Sequence, residues 1–240
     1  MEKEKTKVIL LIPCYNEEIT VQGVINEFKG AISNEYELIT YVYDNNSTDD
    51  TAYLADQAGA IVVKSPVQGK GAVVKHMFND ILSNNTMDAD CYIMVDGDMT
   101  YPAKAVNSLI KAVVNEKFDM AIGDRLSSNY YDNNTRAFHG IGNTLVRFLV
   151  NTMFKGSITD IMTGYRVFSK DYIKKIGPQL KSVGFQIETE LTIRTLKSQL
   201  KVKAIPIEYR DRPQGSVSKL STVKDGIKVI LMIFKLKFER

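Results

Sequence analysis

The residues best placed to do chemistry in this 240-residue chain are two carboxylates one residue apart, Asp96 and Asp98, at the end of the apolar run Cys91-Tyr92-Ile93-Met94-Val95. Two acids at a strand tip repel each other and need a cation if both are buried. The pair therefore suits a hard divalent metal carrying a phosphate-bearing substrate. The same residues, Asp96-Gly97-Asp98, would also make an ordinary polar turn. Company favours the first reading, because four other polar clusters follow apolar runs in the same way. They are residues 13–17 after the run 7–12, residues 44–49 after 38–43, Gly69-Lys70-Gly71 after 60–64, and Asp124-Arg125 after 119–123.

The elements that must position these clusters are legible from periodicity. Residues 7–12, apolar from Val8 onwards, run up to Pro13 in the pattern of a buried parallel strand. Val21, Val24, Ile25, Phe28 and Ile32 recur at helical spacing behind Glu17 and Glu18, acids that favour a helix start. A short helix reaches Gly59, a second runs from Gly69 to about Leu82, and a third carries Val106, Leu109, Ile110 and Val113 behind Pro102. Strands alternating with helices up to Arg125 predict a doubly wound α/β sheet. Ligands of such sheets bind outside the carboxyl ends of the strands, so all five polar clusters should share one edge. Gly69-Lys70-Gly71 lacks the Ser or Thr and the upstream Gly of a Walker A loop, and it reads equally as a plain helix start or a phosphate contact. Gly140-Ile141-Gly142 lacks a third glycine and does not follow the first strand, which disfavours a dinucleotide fold.

Beyond Arg125 the alternation stops. Residues 127–134 read as a mobile polar loop and 138–154 as an amphipathic helix. Asp160 and Arg166 straddle a turn of small residues, and 184–190 opens another helix. On that helix Glu188 and Glu190 point to different faces, so at most one reaches a site. A further strand is expected at 202–209. Residues 210–219 then set Arg210, Arg212 and Lys219 among Gly and Ser, a loop able to fold over a diphosphate or to stay solvated. In the last stretch, Val223, Ile227, Ile230, Leu231, Phe234 and Phe238 share one helical face bordered by Lys224, Lys228 and Lys235. Such a helix suits a membrane interface or docks on the domain's own core.

Charge is segregated along the chain. Residues 1–162 hold 14 Lys/Arg against 21 Asp/Glu, and residues 163–240 hold 17 against 7, so the second part is built to face something anionic. Cys14 and Cys91 sit in or beside apolar runs and read as buried free thiols of a reducing compartment. The N-terminal residues show no signal-peptide core, and no apolar run is long enough for a membrane span. The expected location is the cytoplasm, peripheral on the inner face of the plasma membrane.

Together these motifs resemble the family 2 glycosyltransferases of the GT-A fold, and most of all the dolichyl- and polyprenyl-phosphate sugar synthases. The likeness runs from Ile12-Pro13-Cys14-Tyr15-Asn16-Glu17-Glu18 to Gly215-Ser216-Val217-Ser218-Lys219-Leu220. It implies a GT-A domain over residues 1–220, with a nucleotide-sugar half (1–126) and an acceptor half (127–220), followed by the amphipathic helix 221–240. By the same resemblance, Pro13, Tyr15, Glu17 and Asp44 hold the nucleoside, and Arg125, Ser218 and Lys219 also bind the nucleotide-sugar, to which the phosphate-contact reading of Gly69-Lys70-Gly71 adds Lys70. Asp96 and Asp98 form the Asp-x-Asp pair that binds Mg2+ or Mn2+, with Asp96 also on the donor. Asp160, Arg166 and Arg212 are the implied catalytic residues, positioning donor and acceptor and closing over phosphates. Thr100 stands where the dolichyl branch often has Gln, and Asn45 follows Asp44 where many members have a second acid.

The implied reaction is metal-dependent, inverting transfer of a hexose from a nucleotide-sugar, UDP-linked rather than GDP-linked, to a polyprenyl phosphate. A phosphate acceptor needs no strong general base, whereas a hydroxyl acceptor does, with Glu188 and Glu190 the rival candidates for that base. The alternative is transfer to a glycan or protein hydroxyl in cell-envelope polysaccharide synthesis. A nucleotidyltransferase is disfavoured by Pro13-Cys14-Tyr15-Asn16 in place of a glycine-rich basic loop, and a non-catalytic binding module by the intact acids. No nucleic-acid partner is expected, and no motif sets an oligomeric state.

Overall fold

The computed structural model describes residues 5–127 and 137–239, with the side chains of residues 137–141 and of Thr222 left out of the description. The expected polar loop at 127–134 therefore lies outside the described residues apart from Ser127.

A seven-stranded sheet forms the middle layer, in the order β3-β2-β1-β4-β6-β5-β7. Its strands are β1 (Thr6–Cys14), β2 (Tyr36–Asp44), β3 (Ile61–Lys64), β4 (Cys91–Met94), β5 (Met120–Asp124), β6 (Arg166–Ser169) and β7 (Val202–Pro206). The helices are α1 (Val21–Ala31), α2 (Thr51–Gln57), α3 (Lys70–Ser83), α4 (Val106–Val114), α5 (Ala137–Phe154), α6 (Lys170–Ile176), α7 (Ile187–Lys197) and α8 (Thr222–Phe238).

Strand β1 shows why the sheet sits where it does. Residues Val8 to Ile12 are wholly buried, so the strand is apolar on both faces. Alternate side chains feed two different cores. Val8, Leu10 and Ile12 pack with Val21, Val24 and Phe28 of α1 and with Leu109, Ile110 and Val113 of α4. Ile9 and Leu11 pack with Val74, Met77 and Phe78 of α3, in a cluster that continues through Leu191 of α7 and Val229, Ile233 and Leu236 of α8. Each such side chain contributes roughly 1.5–3 kcal/mol by leaving water.

The sheet is mixed, and the odd strand matters most for the site. β1 pairs in parallel with β2 and β4, and β5 with β7, but β6 runs antiparallel between β4 and β5. No strand was expected at 166–169, because the alternation of strands and helices stops at Arg125. An antiparallel strand begins at the edge where its parallel neighbours end. Arg166, its first residue, registers with Met94 of β4 and Ile122 of β5. The segment leading into β6, which contains Asp160 and Gly164, is thereby delivered to the carboxyl edge of the sheet. The expected strand 202–209 is regular only over Val202–Pro206. Among the described residues no helix is long and apolar enough to cross a membrane.

Candidate active site

The carboxyl edge opens into a cleft of about 280 Å³, lined by strand-end residues and by two later loops. From the strand ends come Pro13 at the end of β1 with Tyr15 and Glu17 after it, Asn45 after β2, Gln68 to Lys70 after β3, and Asp96 to Asp98 after β4. Phe185 reaches in ahead of α7, and Arg212, Ser218, Lys219 and Leu220 reach in ahead of α8.

Asp98 is held from both sides. Its Oδ1 accepts hydrogen bonds from Thr100 Oγ1 at 2.6 Å and Thr100 N at 3.1 Å, and its Oδ2 meets Arg212 Nη2 at 2.5 Å. Met99 between them takes φ 60°, a left-handed backbone that costs energy in a residue with a side chain and collects at functional turns. Asp96 faces a second cation, with Lys70 Nζ 2.6 Å from its Oδ1. The same amine lies 2.5 Å from Glu188 Oε1, so Lys70 is shared between two acids. Burial by itself would pull the Lys70 amine down, but Asp96 and Glu188 together hold it above the ordinary lysine range. Burial pushes the Glu188 carboxyl up, against the opposing pull of Lys70.

Two glycines make this packing feasible. Gly69 immediately precedes α3 at φ 122°, and Gly71 has no room for a Cβ against the Ser182 carbonyl. The Gly69–Gly71 stretch is thus a helix start fitted tightly against the chain ahead of α7, with Lys70 aimed into the cleft. A Cβ at Gly164 would overlap the Asp96 carboxylate, so the segment ahead of β6 is pressed directly onto the metal-type acid.

The opposite wall is basic. Lys219 Nζ lies 2.7 Å from Glu17 Oε1 and 2.7 Å from the Asn16 carbonyl, and Arg212 Nη1 lies 3.6 Å from the same Glu17 oxygen. Burial raises the Glu17 carboxyl above its ordinary range, opposed first by Lys219 and then by Arg212. The loop 210–219 is therefore folded over the cleft rather than solvated.

Pro13, Tyr15, Glu17, Lys70, Asp96, Asp98, Arg212, Ser218 and Lys219 are brought together; four other expected site residues are not. Asp44 is buried beside the cleft, its Oδ1 accepting from Ser47 N, and Asn45 takes the place in the lining. Asn45 clamps the edge, donating to the Ser65 and Val67 carbonyls and accepting from Gly69 N. Arg125 and Asp160 form a buried two-pronged pair, Nε–Oδ2 2.7 Å and Nη2–Oδ1 2.9 Å, with the guanidinium over the rings of Tyr101 and Tyr209. Arg166 corrects the expectation of a catalytic arginine. It is wholly buried, and its guanidinium donates to the carbonyls of Thr163, Ile161 and Glu188 and to Thr192 Oγ1. Its guanidinium reaches α7 at Glu188 and Thr192 and is not part of the cleft lining. Glu190 likewise leaves the contest for a base, because it is fully buried and holds Arg194 and the Lys181 and Ser182 amides. Sequence reading missed Asn45 and Gly164 as site-shaping residues; only their position at strand ends could have flagged them.

The sequence profile described as Glycosyl transferase family 2 matches residues 9–177, which include the strand-end clusters and the segment ahead of β6. The chain belongs to glycosyltransferase family 2. Among its relatives, glycosyltransferase AglJ of Haloferax volcanii is 32% identical over 95% of this chain and 71% of its own length. The UDP-N-acetylglucosamine–dolichyl-phosphate N-acetylglucosaminyltransferase of Methanococcus voltae is 22% identical over 96% of each chain. Glucosyl-3-phosphoglycerate synthase of Mycobacterium tuberculosis, solved with Mn2+, UDP and phosphoglyceric acid, superposes with a TM-score of 0.74 at 19% identity, covering 98% of this chain and 80% of that one. That likeness identifies the mixed seven-stranded sheet as a GT-A fold. This family 2 member is a glycosyltransferase.

The donor set of the cleft fits a divalent metal in a particular way. Asp96 and Asp98 offer hard oxygens, but among the described residues no cluster of three or more His, Cys, Asp or Glu stands ready to hold an ion. Such a site leaves the remaining coordination to a diphosphate and water, as Mg2+ usually demands.

Proposed function

We propose that this glycosyltransferase moves a hexose from a UDP-sugar to the phosphate of a polyprenyl phosphate on the cytoplasmic side of a membrane, with inversion at the anomeric carbon. One observation supports a phosphate over a hydroxyl acceptor. Among the described residues, every acid lining the cleft is already held by a cation, Glu17 by Lys219, Asp98 by Arg212 and Asp96 by Lys70. A hydroxyl acceptor needs a carboxylate ready to take its proton. A phosphate acceptor is an anion at neutral pH and needs no base, only cations, and Lys70, Arg212 and Lys219 line the cleft.

In the transfer step an oxygen of the acceptor phosphate bonds to the anomeric carbon as the bond to the nucleoside diphosphate breaks. The electron pair leaves with the diphosphate, and no proton moves. Lys70, Arg212 and Lys219 take up the developing charge, as preorganised donors do where water is excluded. Asp96 and Asp98 would hold Mg2+ or Mn2+, which when bound neutralises the diphosphate further. Pro13 and Tyr15 wall the nucleoside side, and Asp160, Arg125 and Arg166 act on the reaction by fixing the segment against Asp96. Support for uridine comes from the Methanococcus relative, named for a UDP-sugar, and from the mycobacterial fold neighbour solved with UDP.

Labelled UDP-hexoses offered with undecaprenyl phosphate and with soluble glycans test this reading. Label should enter the organic phase only with the lipid phosphate and a divalent cation. Product found solely in the aqueous phase would exclude the lipid acceptor. A thermal-shift panel of nucleoside diphosphates with Mn2+ should single out UDP, by binding the folded state alone.

A further inference from the structure

Helix α8 has two apolar faces. Val229, Met232, Ile233 and Leu236 are buried in the core shared with α3 and α7. Val223, Ile227, Leu231, Phe234 and Phe238 remain exposed, Val223 by 72% and Phe238 by 79%. At 3.6 residues per turn the exposed five fall within an arc of about 80°, opposite the buried four. The choice between membrane interface and core docking is therefore not exclusive, since one face docks and the other is left over. Lys224, Lys228 and Lys235 border the exposed stripe on one side and Lys237 on the other, all of them exposed. On α5, bonded to α8 through Lys237 Nζ and the Met153 carbonyl at 2.6 Å, Leu145 and Phe148 are exposed too. Apolar residues grouped in this way mark an interaction surface.

We propose that this stripe is the surface by which the protein docks on an anionic lipid bilayer, with the side chains of Val223, Ile227, Leu231, Phe234 and Phe238 among the acyl chains and the bordering lysines at the headgroups. Two features select this occupant. The lysine rows complement an anionic headgroup layer. A second copy joined through the same stripe would instead bring lysine rows towards each other. The stripe also runs on from the cleft, because Ser218, Lys219 and Leu220 of the lining lead directly into α8. Docking would hold the cleft mouth within one short loop of the headgroup layer, where a lipid phosphate lies. That last point rests on the proposed acceptor; the surface itself does not.

Flotation of the full chain tests the surface, using vesicles of phosphatidylcholine alone and mixed with phosphatidylglycerol. Wild type should float with the mixed vesicles. Ile227→Asp with Phe234→Asp should lower the bound fraction by roughly tenfold per side chain withheld from the lipid. Lys224→Glu with Lys235→Glu, or added salt, should remove the preference for anionic vesicles. All four positions are exposed, so the UDP and Mn2+ thermal shift should persist and report an intact fold. Equal flotation of wild type and the apolar variant, or none by wild type, overturns the proposal. A dimer that Ile227→Asp dissociates would also overturn it, assigning the stripe to a second copy. Transfer to detergent-dispersed polyprenyl phosphate, assayed in parallel, separates the two ideas: its absence in wild type refutes the acceptor and leaves the vesicle result standing.

Discussion

Arg166 and Arg212 carry the same guanidinium and were both expected in the site, yet the fold uses them in opposite ways. Arg166 is wholly buried, and its donors are taken up by three backbone carbonyls and a hydroxyl. Arg212 keeps a quarter of its side chain in solvent and meets the carboxylates Asp98 and Glu17. A buried cation that lost a partner could not recover the cost from water, so its contacts are fixed. A cation at the rim can change carboxylate for phosphate with little penalty. Arg125–Asp160 belongs with the first kind, and Lys219–Glu17 with the second.

That contrast is open to direct attack. The largest effect should come from Asp98→Asn, which removes a charge of the exchangeable kind. Transfer should fall by about a thousandfold, as for loss of a key charge-stabilising group, while the melting temperature changes little. Full activity in this variant with divalent metal chelated would dismiss the cleft as the site. Asp160→Asn should do the reverse, removing the buried carboxylate that Arg125 grips with two prongs and costing roughly 3–5 kcal/mol in chemical denaturation. Unchanged stability would erase the distinction between brace and clamp. Arg212→Ala should reduce kcat/KM by about a hundredfold yet shift stability by no more than about 0.5 kcal/mol.

The smallest effect concerns pH. Burial raises Glu17 in the folded state, so its contribution to stability is complete below the ordinary glutamate range and is lost as pH rises through the folded value. Glu17→Gln should therefore melt slightly higher than wild type near neutrality and equally at pH 4 or below, while losing transfer. Glu239, lowered chiefly by its hydrogen bond from Lys181, has the opposite sign. Its contribution is present above the ordinary range and lost as pH falls through the folded value. A Glu239→Gln variant should differ from wild type only on the neutral side.

Much of the first half was legible in the amino-acid pattern. β1 to β5 and α1 to α4 were expected close to where they lie, because apolar runs alternate with helical spacing there and the polar residues between them mark where strands stop. Asp96, Asp98, Glu17 and Lys70 followed from the rule that a parallel sheet presents its carboxyl ends on one edge. β6 was not legible, being antiparallel among strands read as parallel and lying where the alternation of strands and helices has stopped. With it went the true positions of Asp160 and Arg166.

What the sequence determined by itself was the set of charged groups and the edge on which most of them meet, since alternating period and strand-end polarity are local properties. Tertiary structure alone decided which of those charges face the cleft and which are locked inside. It paired Lys70 with Asp96 and, across a gap of more than a hundred residues, with Glu188, placed Gly164 against Asp96, and gave α8 one face for the core and one for the outside. The physical reason is the same in each case. Desolvation depends on what packs against a group, and no spacing along the chain records its neighbours from elsewhere.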